Sequence, residues 1–163
     1  MKKLSVFALV LALGSTMVGC GDDNTDDPTP AGKTTSERLM AKSWMITAST
    51  LQVGTGKADD MYAEEEACNK DNIYKFEANK VFTLDEGKTR CDEDTPQSVK
   101  GTWELTNNDK DLKSVISYSN PLGEVELEIS GTLEEVSDTK FVVVSKETDS
   151  GVTTTTRTTF TAQ

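Results

Sequence analysis

The chain has three cysteines, twenty-eight carboxylates and no histidine. That inventory bounds the chemistry it can do. Without an imidazole there is no ordinary Ser–His or Cys–His nucleophile and no imidazole ligand for zinc. The carboxylates gather in three groups: Glu64-Glu65-Glu66, Asp92-Glu93-Asp94, and the row Glu124, Glu126 and Glu128. A catalytic acid and base need one carboxyl in an apolar site and one in a polar site. The third group has every second residue acidic, which puts it on the solvated face of a strand, and nothing sets one carboxyl of any group apart. No stretch has the alternating Asp/Asn-with-Gly order of a dedicated calcium loop. The sequence predicts no catalytic residue, no metal site and no cofactor, and points to a binding protein rather than an enzyme.

The cysteines are more informative. Cys20 follows Lys2-Lys3, an apolar run from Leu4 to Leu13, and small residues up to Gly19. The run is too short to span a bilayer comfortably and has the layout of a targeting segment. Gly19-Cys20 resembles the lipobox of bacterial lipoproteins, with Met17 where Leu is usual. The resemblance implies that residues 1–19 are a signal peptide cut before Cys20, and that the Cys20 thiol takes a diacylglycerol while its new amine is acylated. Several acyl chains on one residue hold a protein at a membrane without a spanning helix. Residues 20–34 then read as a tether. Between Gly21 and Lys33 only Ala31 could be buried, four Asp repel one another, and Pro28 and Pro30 keep the segment extended. Acids directly after the cysteine resemble the export signals of Gram-negative lipoproteins that reach the outer face of the outer membrane; a plain hydrophilic spacer has the same composition. The expected location is the outer membrane, on its periplasmic or cell-surface face.

The formal net charge is −11. Two of the seventeen basic residues, Lys2 and Lys3, lie in the leader, so the mature chain carries fifteen against twenty-eight acids, a net charge of −13. Such a surface repels nucleic acid and favours solubility or a basic protein partner.

Residues 35–163 must supply the fold. Thr34 to Ala41 has a cap-like start and good helix formers, which predicts one helical turn. Short strands follow at about 43–51, 72–77, 81–86, 99–106, 112–119, 124–133, 140–146 and 152–161. In the first, Trp44, Ile46 and Ala48 fall on one face and Ser43, Thr47 and Ser49 on the other. The sixth has the clearest pattern: Val125, Leu127, Ile129, Gly131 and Leu133 alternate with polar residues, the mark of a half-buried antiparallel strand. The loop from Val53 to Asp71 is long, with a helical turn expected at 63–67. The other connections are mostly tight, at Asn79-Lys80, Asn107 to Lys110, Asn120 to Gly123, and Asp149 to Gly151. Eight antiparallel strands in sequence close naturally into an all-β, up-and-down barrel without exposed edges.

The motif order supports that architecture. Trp44 near the start of the first strand, Cys68-Asn69-Lys70-Asp71-Asn72-Ile73-Tyr74-Lys75-Phe76, Asp85-Glu86-Gly87 before Cys91-Asp92, and Gly101-Thr102-Trp103 together resemble the lipocalin-like domain family of small bacterial lipoproteins. The resemblance runs from about Leu39 to the C-terminus and implies a calycin-type barrel. Lys42-Ser43-Trp44 replaces the Gly-x-Trp that lipocalins proper carry on their first strand, which favours the wider relatives. In those relatives an Arg of the last strand often packs across the first-strand Trp. Arg157 is the only late Arg here, and its parity opposes Phe160.

In an extracytoplasmic chain the remaining pair, Cys68 and Cys91, reads first as a disulfide bracketing the hairpin between them. A thiol or metal pair is the alternative. Trp44, Ile46, Tyr74, Phe76, Phe82, Leu84, Trp103 and Leu105 are expected inside the barrel, and Thr154, Thr156 and Thr158 are candidate polar lining at its mouth. Eight-stranded barrels either hold one small ligand or are filled. One functional reading is a carrier of a small apolar ligand at that mouth; the other is a surface or periplasmic interaction module with a filled interior. The lipid anchor is directly testable. Cys20→Ser is expected to release the protein from the membrane fraction or leave its precursor uncut, and a normally cleaved, membrane-bound variant would refute the anchor.

Overall fold

The computed structural model describes residues 32–120 and 123–163. The leader, Cys20, the tether through Ala31 and the Pro121-Leu122 tip of one turn lie outside the described residues.

Helix α1 (Thr35–Met40) starts on a reciprocal cap: the Glu37 N–H donates to the Thr34 hydroxyl at 3.2 Å, and the Thr34 N–H donates to the Glu37 carboxylate at 2.7 Å. Strand β1 (Ser43–Val53) follows, then a strap of β2 (Asp59–Asp60), α2 (Met61–Glu64) and α3 (Ala67–Lys70). The expected single turn at 63–67 is two turns that break at Glu65-Glu66, where Asp60 caps the first by accepting from the Ala63 N–H at 3.1 Å. After the strap come β3 (Ile73–Glu77), β4 (Val81–Asp85), β5 (Ser98–Thr106), β6 (Asp111–Asn120), β7 (Gly123–Val136), β8 (Lys140–Asp149) and β9 (Val152–Ala162). The turn residues Asn79, Lys80, Asn107, Asn108, Asp109 and Ser150 adopt positive φ, a backbone region that Asn and Asp tolerate better than most side chains.

From β3 onward each strand pairs antiparallel with the next, β1 pairs with β3, and β9 returns to pair with β1. The result is a closed eight-stranded antiparallel barrel, with β2 as a two-residue addition on β1. The alternation read in β7 holds: Leu127, Ile129 and Leu133 pack on the core and Val125 is half-buried on the same face, while the intervening glutamates are exposed. Two bulges interrupt the alternation elsewhere. One lies between Ile46 and Ala48 in β1, so the inward face passes from Ile46 to Ser49 rather than to Ala48. The other lies between Leu133 and Glu135 in β7 and turns Glu134 and Glu135 outward together. No bulge disturbs β9, so Arg157 points away from Phe160. Arg157 is exposed and pairs with Glu134 on the outer surface, while Phe160 is fully buried.

The core is graded along the barrel axis. One end, under α1, holds Trp44, Phe76, Phe82, Trp103, Phe141 and Phe160, all at most 5% exposed. Phe141 stacks on Phe160 with ring centroids 4.4 Å apart and takes Trp44 edge-on at 4.8 Å; Phe76 meets Trp103 edge-on at 5.3 Å. Both indoles are satisfied there. Trp44 donates to the Leu39 carbonyl at 2.8 Å, which locks α1 over the end, and Trp103 donates to the Glu77 carbonyl at 3.0 Å. Gly101 lets β5 and β6 close tightly beside this cluster. A Cβ at that position would lie 1.9 Å from the Val115 carbonyl oxygen, closer than any atom can approach without moving β6.

Candidate functional site

Toward the other end the inward side chains shrink. Along β9 they run Phe160, Thr158, Thr156, Thr154; along β8, Phe141, Val143, Ser145; along β1, Trp44, Ile46, Ser49. The wall also thins at two seams. Strands β1 and β3 are paired only at Ser43↔Lys75 and Trp44↔Tyr74, next to α1. Strands β7 and β8 are paired only from Thr132↔Val144 to Val136↔Phe141, again toward the closed end. Beyond those pairs β8, β9 and β1 part from β3 to β7, and the space between them is the candidate site.

A cavity of about 390 Å³ opens there. Ile46, Leu84, Val125 and Leu127 give it an apolar interior, with Tyr74 at its base and Thr158 and Ser49 on one side. Its rim carries Tyr62, Glu65, Asn69 and Asn72 from the strap region, and Glu86, Tyr118 and Glu126 from the strands and loops opposite. A cleft of about 500 Å³ at the β7/β8 seam shares Ile46 and Thr158 with it and adds Ile129, Val143, Ser145 and Thr156.

The two long loops at this mouth are joined by the Cys68–Cys91 disulfide, whose Cα atoms stand 5.2 Å apart. Cys68 belongs to α3, in the strap that crosses the β1/β3 seam; Cys91 belongs to the loop between β4 and β5. The strap is therefore held at one end by β2 on β1 and pinned at the other to the opposite loop. Asp71 strengthens the junction by accepting from the Lys88 and Thr89 N–H groups, both at 3.0 Å. Among the described residues Glu66 is the only carboxylate grouped with the two sulfurs, and sulfurs joined to each other are poor metal ligands.

Of the residues that sequence reasoning assigned to the lining, Ile46, Tyr74, Leu84 and Thr158 border the 390 Å³ cavity and Thr156 borders the cleft. Trp44, Phe76 and Phe82 form the packed floor instead. Trp103 and Leu105 lie at the closed end, where they border a shallow outer groove with Met40. Thr154 sits farther along β9, opposite Val53 and Glu147. Sequence reasoning missed Tyr118, Val125 and Leu127 as lining and the polar rim of Glu65, Asn69, Asn72 and Glu86. A usable signal existed for the floor. Its aromatics come early in β1, β4 and β8 but late in β3 and β9, and in an up-and-down barrel those positions share one end.

Tyr74 joins floor to cavity. It is 6% exposed, stacks toward Phe82 and meets Phe160 edge-on at 5.5 Å. Burial pushes its hydroxyl up to about 12, with an Asn72 hydrogen bond pulling the other way and the Glu65 charge adding to the rise.

No protein-family model matches the chain, and no curated protein matches it in sequence. Among the described residues no helix is long and apolar enough to cross a membrane.

Two outcomes follow from this geometry. The disulfide closes a loop that the chain-entropy relation values at about 3 kcal/mol. Reduction is expected to lower the thermal midpoint by roughly 10 °C, and the denatured, unreduced protein should show no thiol from Cys68 or Cys91; two titratable thiols would refute the bridge. The raised Tyr74 pKa has a definite sign. Below pH 10 the phenol is neutral folded and unfolded, whereas between about 10 and 12 only the unfolded chain loses the proton, so stability falls as pH rises. Chemical denaturation across that window should show a loss on the order of 2–3 kcal/mol that Tyr74→Phe removes; equal pH slopes in both proteins would refute it.

Proposed function

We propose that this is a membrane-anchored lipoprotein of the lipocalin-like type that binds a small, largely apolar ligand in the open half of its barrel. The observation that carries the reading is the graded core. One half is packed with aromatic rings, and the other is left with a cavity of about 390 Å³ whose interior is Ile46, Leu84, Val125 and Leu127. That volume falls within the usual range for small-molecule sites, and an apolar interior with a few polar groups at the rim is their usual composition. The framing supports the same reading, because the long loops at the mouth are tied to each other by a disulfide above a closed barrel.

The anchor has a geometric consequence under this reading. The first described residues lie at the closed end, where Lys33 and Arg38 both pair with Asp138 at 3.2 and 2.6 Å. A tether from Cys20 would join the domain at its closed end, and the mouth opens at the other. The rival reading, a surface or periplasmic interaction module for a basic partner, draws on the packed half of the barrel and on the net charge of −11.

A cavity-filling variant separates the two. Leu127→Trp should abolish the fluorescence gain of N-phenyl-1-naphthylamine, a neutral apolar dye, and leave the thermal midpoint within a few degrees of wild type. No gain with wild-type protein, or an equal gain with the variant, would refute binding in this cavity.

A further inference from the structure

Resting on that reading of the cavity, we infer that the ligand is an organic amine: a small apolar body bearing a protonated amino group. The inference comes from what the walls contain and what they lack. The chain has three tyrosines, and all three, Tyr62, Tyr74 and Tyr118, line the cavity. Aromatic faces attract cations through the ring quadrupole, more strongly where water is excluded. Three carboxylates border its rim, Glu65, Glu86 and, from the solvated face of β7, Glu126, and Glu128 and Glu147 border the adjoining cleft. Neither wall contains a lysine or an arginine.

Nearby bases answer only part of this charge. The Arg90 Nε lies 3.8 Å from Glu86, and Lys113 pairs with Glu128 at 3.4 Å. Lys70 sits 5.2 Å from the Tyr62 ring centroid and donates to the Ala63 carbonyl at 3.2 Å. Among the described residues Glu65 and Glu126 have no basic partner; Glu65 accepts only from the Asn69 amide, at 3.0 Å. The hydrogen-bond balance tilts the same way. Asn72 Oδ1, on the wall, is a buried acceptor without a hydrogen-bond partner, while Glu86 Oε2 faces the Arg90 Nε, itself without a hydrogen-bond partner, at 3.8 Å.

An anionic ligand such as a fatty acid would bring a like charge beside Glu65 and Glu126. A neutral hydrocarbon would leave those groups and the Asn72 acceptor unanswered. An ammonium group supplies three donors and a positive charge at the rim while its apolar body lies against Ile46, Leu84 and Leu127.

Three probes with one apolar body test the inference: octylamine, 1-octanol and octanoate. Each is titrated calorimetrically at pH 7 and low ionic strength into the mature chain carrying Cys20→Ser, free of acyl chains. Octylamine is expected to bind at least about tenfold more tightly than octanol, with octanoate weakest. In a Glu65→Gln, Glu126→Gln double variant of unchanged thermal midpoint, the amine-to-alcohol ratio should fall below about threefold while octanol affinity stays the same. If octanol matches the amine, octanoate binds best, or the double variant keeps the full ratio, the amine inference is overturned and the cavity reading survives. If none of the three binds, both fall.

Discussion

The structure depends on how its interior is filled: an eight-stranded barrel is just wide enough for side chains to fill it or for one small ligand to be held. Here the closed end is filled by rings. Trp44, Phe76, Phe82, Trp103, Phe141 and Phe160 come from six different strands and meet at centroid distances that include 4.4 Å for Phe141 on Phe160. Several of these contacts tie strands that are not neighbours in the sheet: Trp44 of β1 with Phe141 of β8, and Phe76 of β3 with Trp103 of β5 and Phe141 of β8. The two indole hydrogen bonds add direction to this packing, since Trp44 holds α1 by the Leu39 carbonyl and Trp103 holds the turn after β3 by the Glu77 carbonyl. With that end fixed, the strands can part toward the other end without the barrel coming undone.

That parting explains why much of the fold was legible and much of the site was not. Face is written into a strand as a period of two, and the apolar row of β7 and the Gly101, Trp103, Leu105 set of β5 follow it without error. Bulges leave no such mark. Thr47 and its neighbours in β1 are Thr, Ala and Ser, which suit either face, so one extra residue among them costs no apolar contact that the sequence would betray. Glu134 lies beside Glu135, and two acids in a row are compatible with a bulge or with a strand end. Only the pairing of Ile46 with Phe160 and of Ala48 with Thr159 reveals where the register shifts.

Depth along the axis is a second quantity that parity does not carry. Trp44 and Ser49 both face inward, yet one lies in the floor and the other at the mouth. Placing them requires the direction of each strand as well as its face. The aromatic residues looked like pocket lining because large rings often line pockets; their shared position at one end makes them a plug instead. The rim was harder still. Glu65, Asn69 and Asn72 belong to or adjoin a strap whose course over the β1/β3 seam is set by two contacts distant in sequence, β2 on β1 and Cys68 on Cys91.

The strap is also where stability and recognition meet. The β1/β3 seam lacks ladder hydrogen bonds beyond Trp44↔Tyr74, so its exposed strand edges would invite pairing by another chain. The strap covers that seam, and the disulfide fixes it there at the level where Tyr62, Glu65 and Asn69 reach the cavity. A covalent tie suits this position better than more apolar packing would. Packing large side chains between the strap and the strands would fill the space that the taper from Phe160 to Thr158 and Thr156 leaves open. Joining the two loops from outside holds the rim in place and keeps the interior empty. The β7/β8 seam has no such cover among the described residues, and the cleft of about 500 Å³ there reaches Ile46 and Thr158 from the side. One seam is latched and carries the polar rim; the other leaves a lateral route to the same apolar interior.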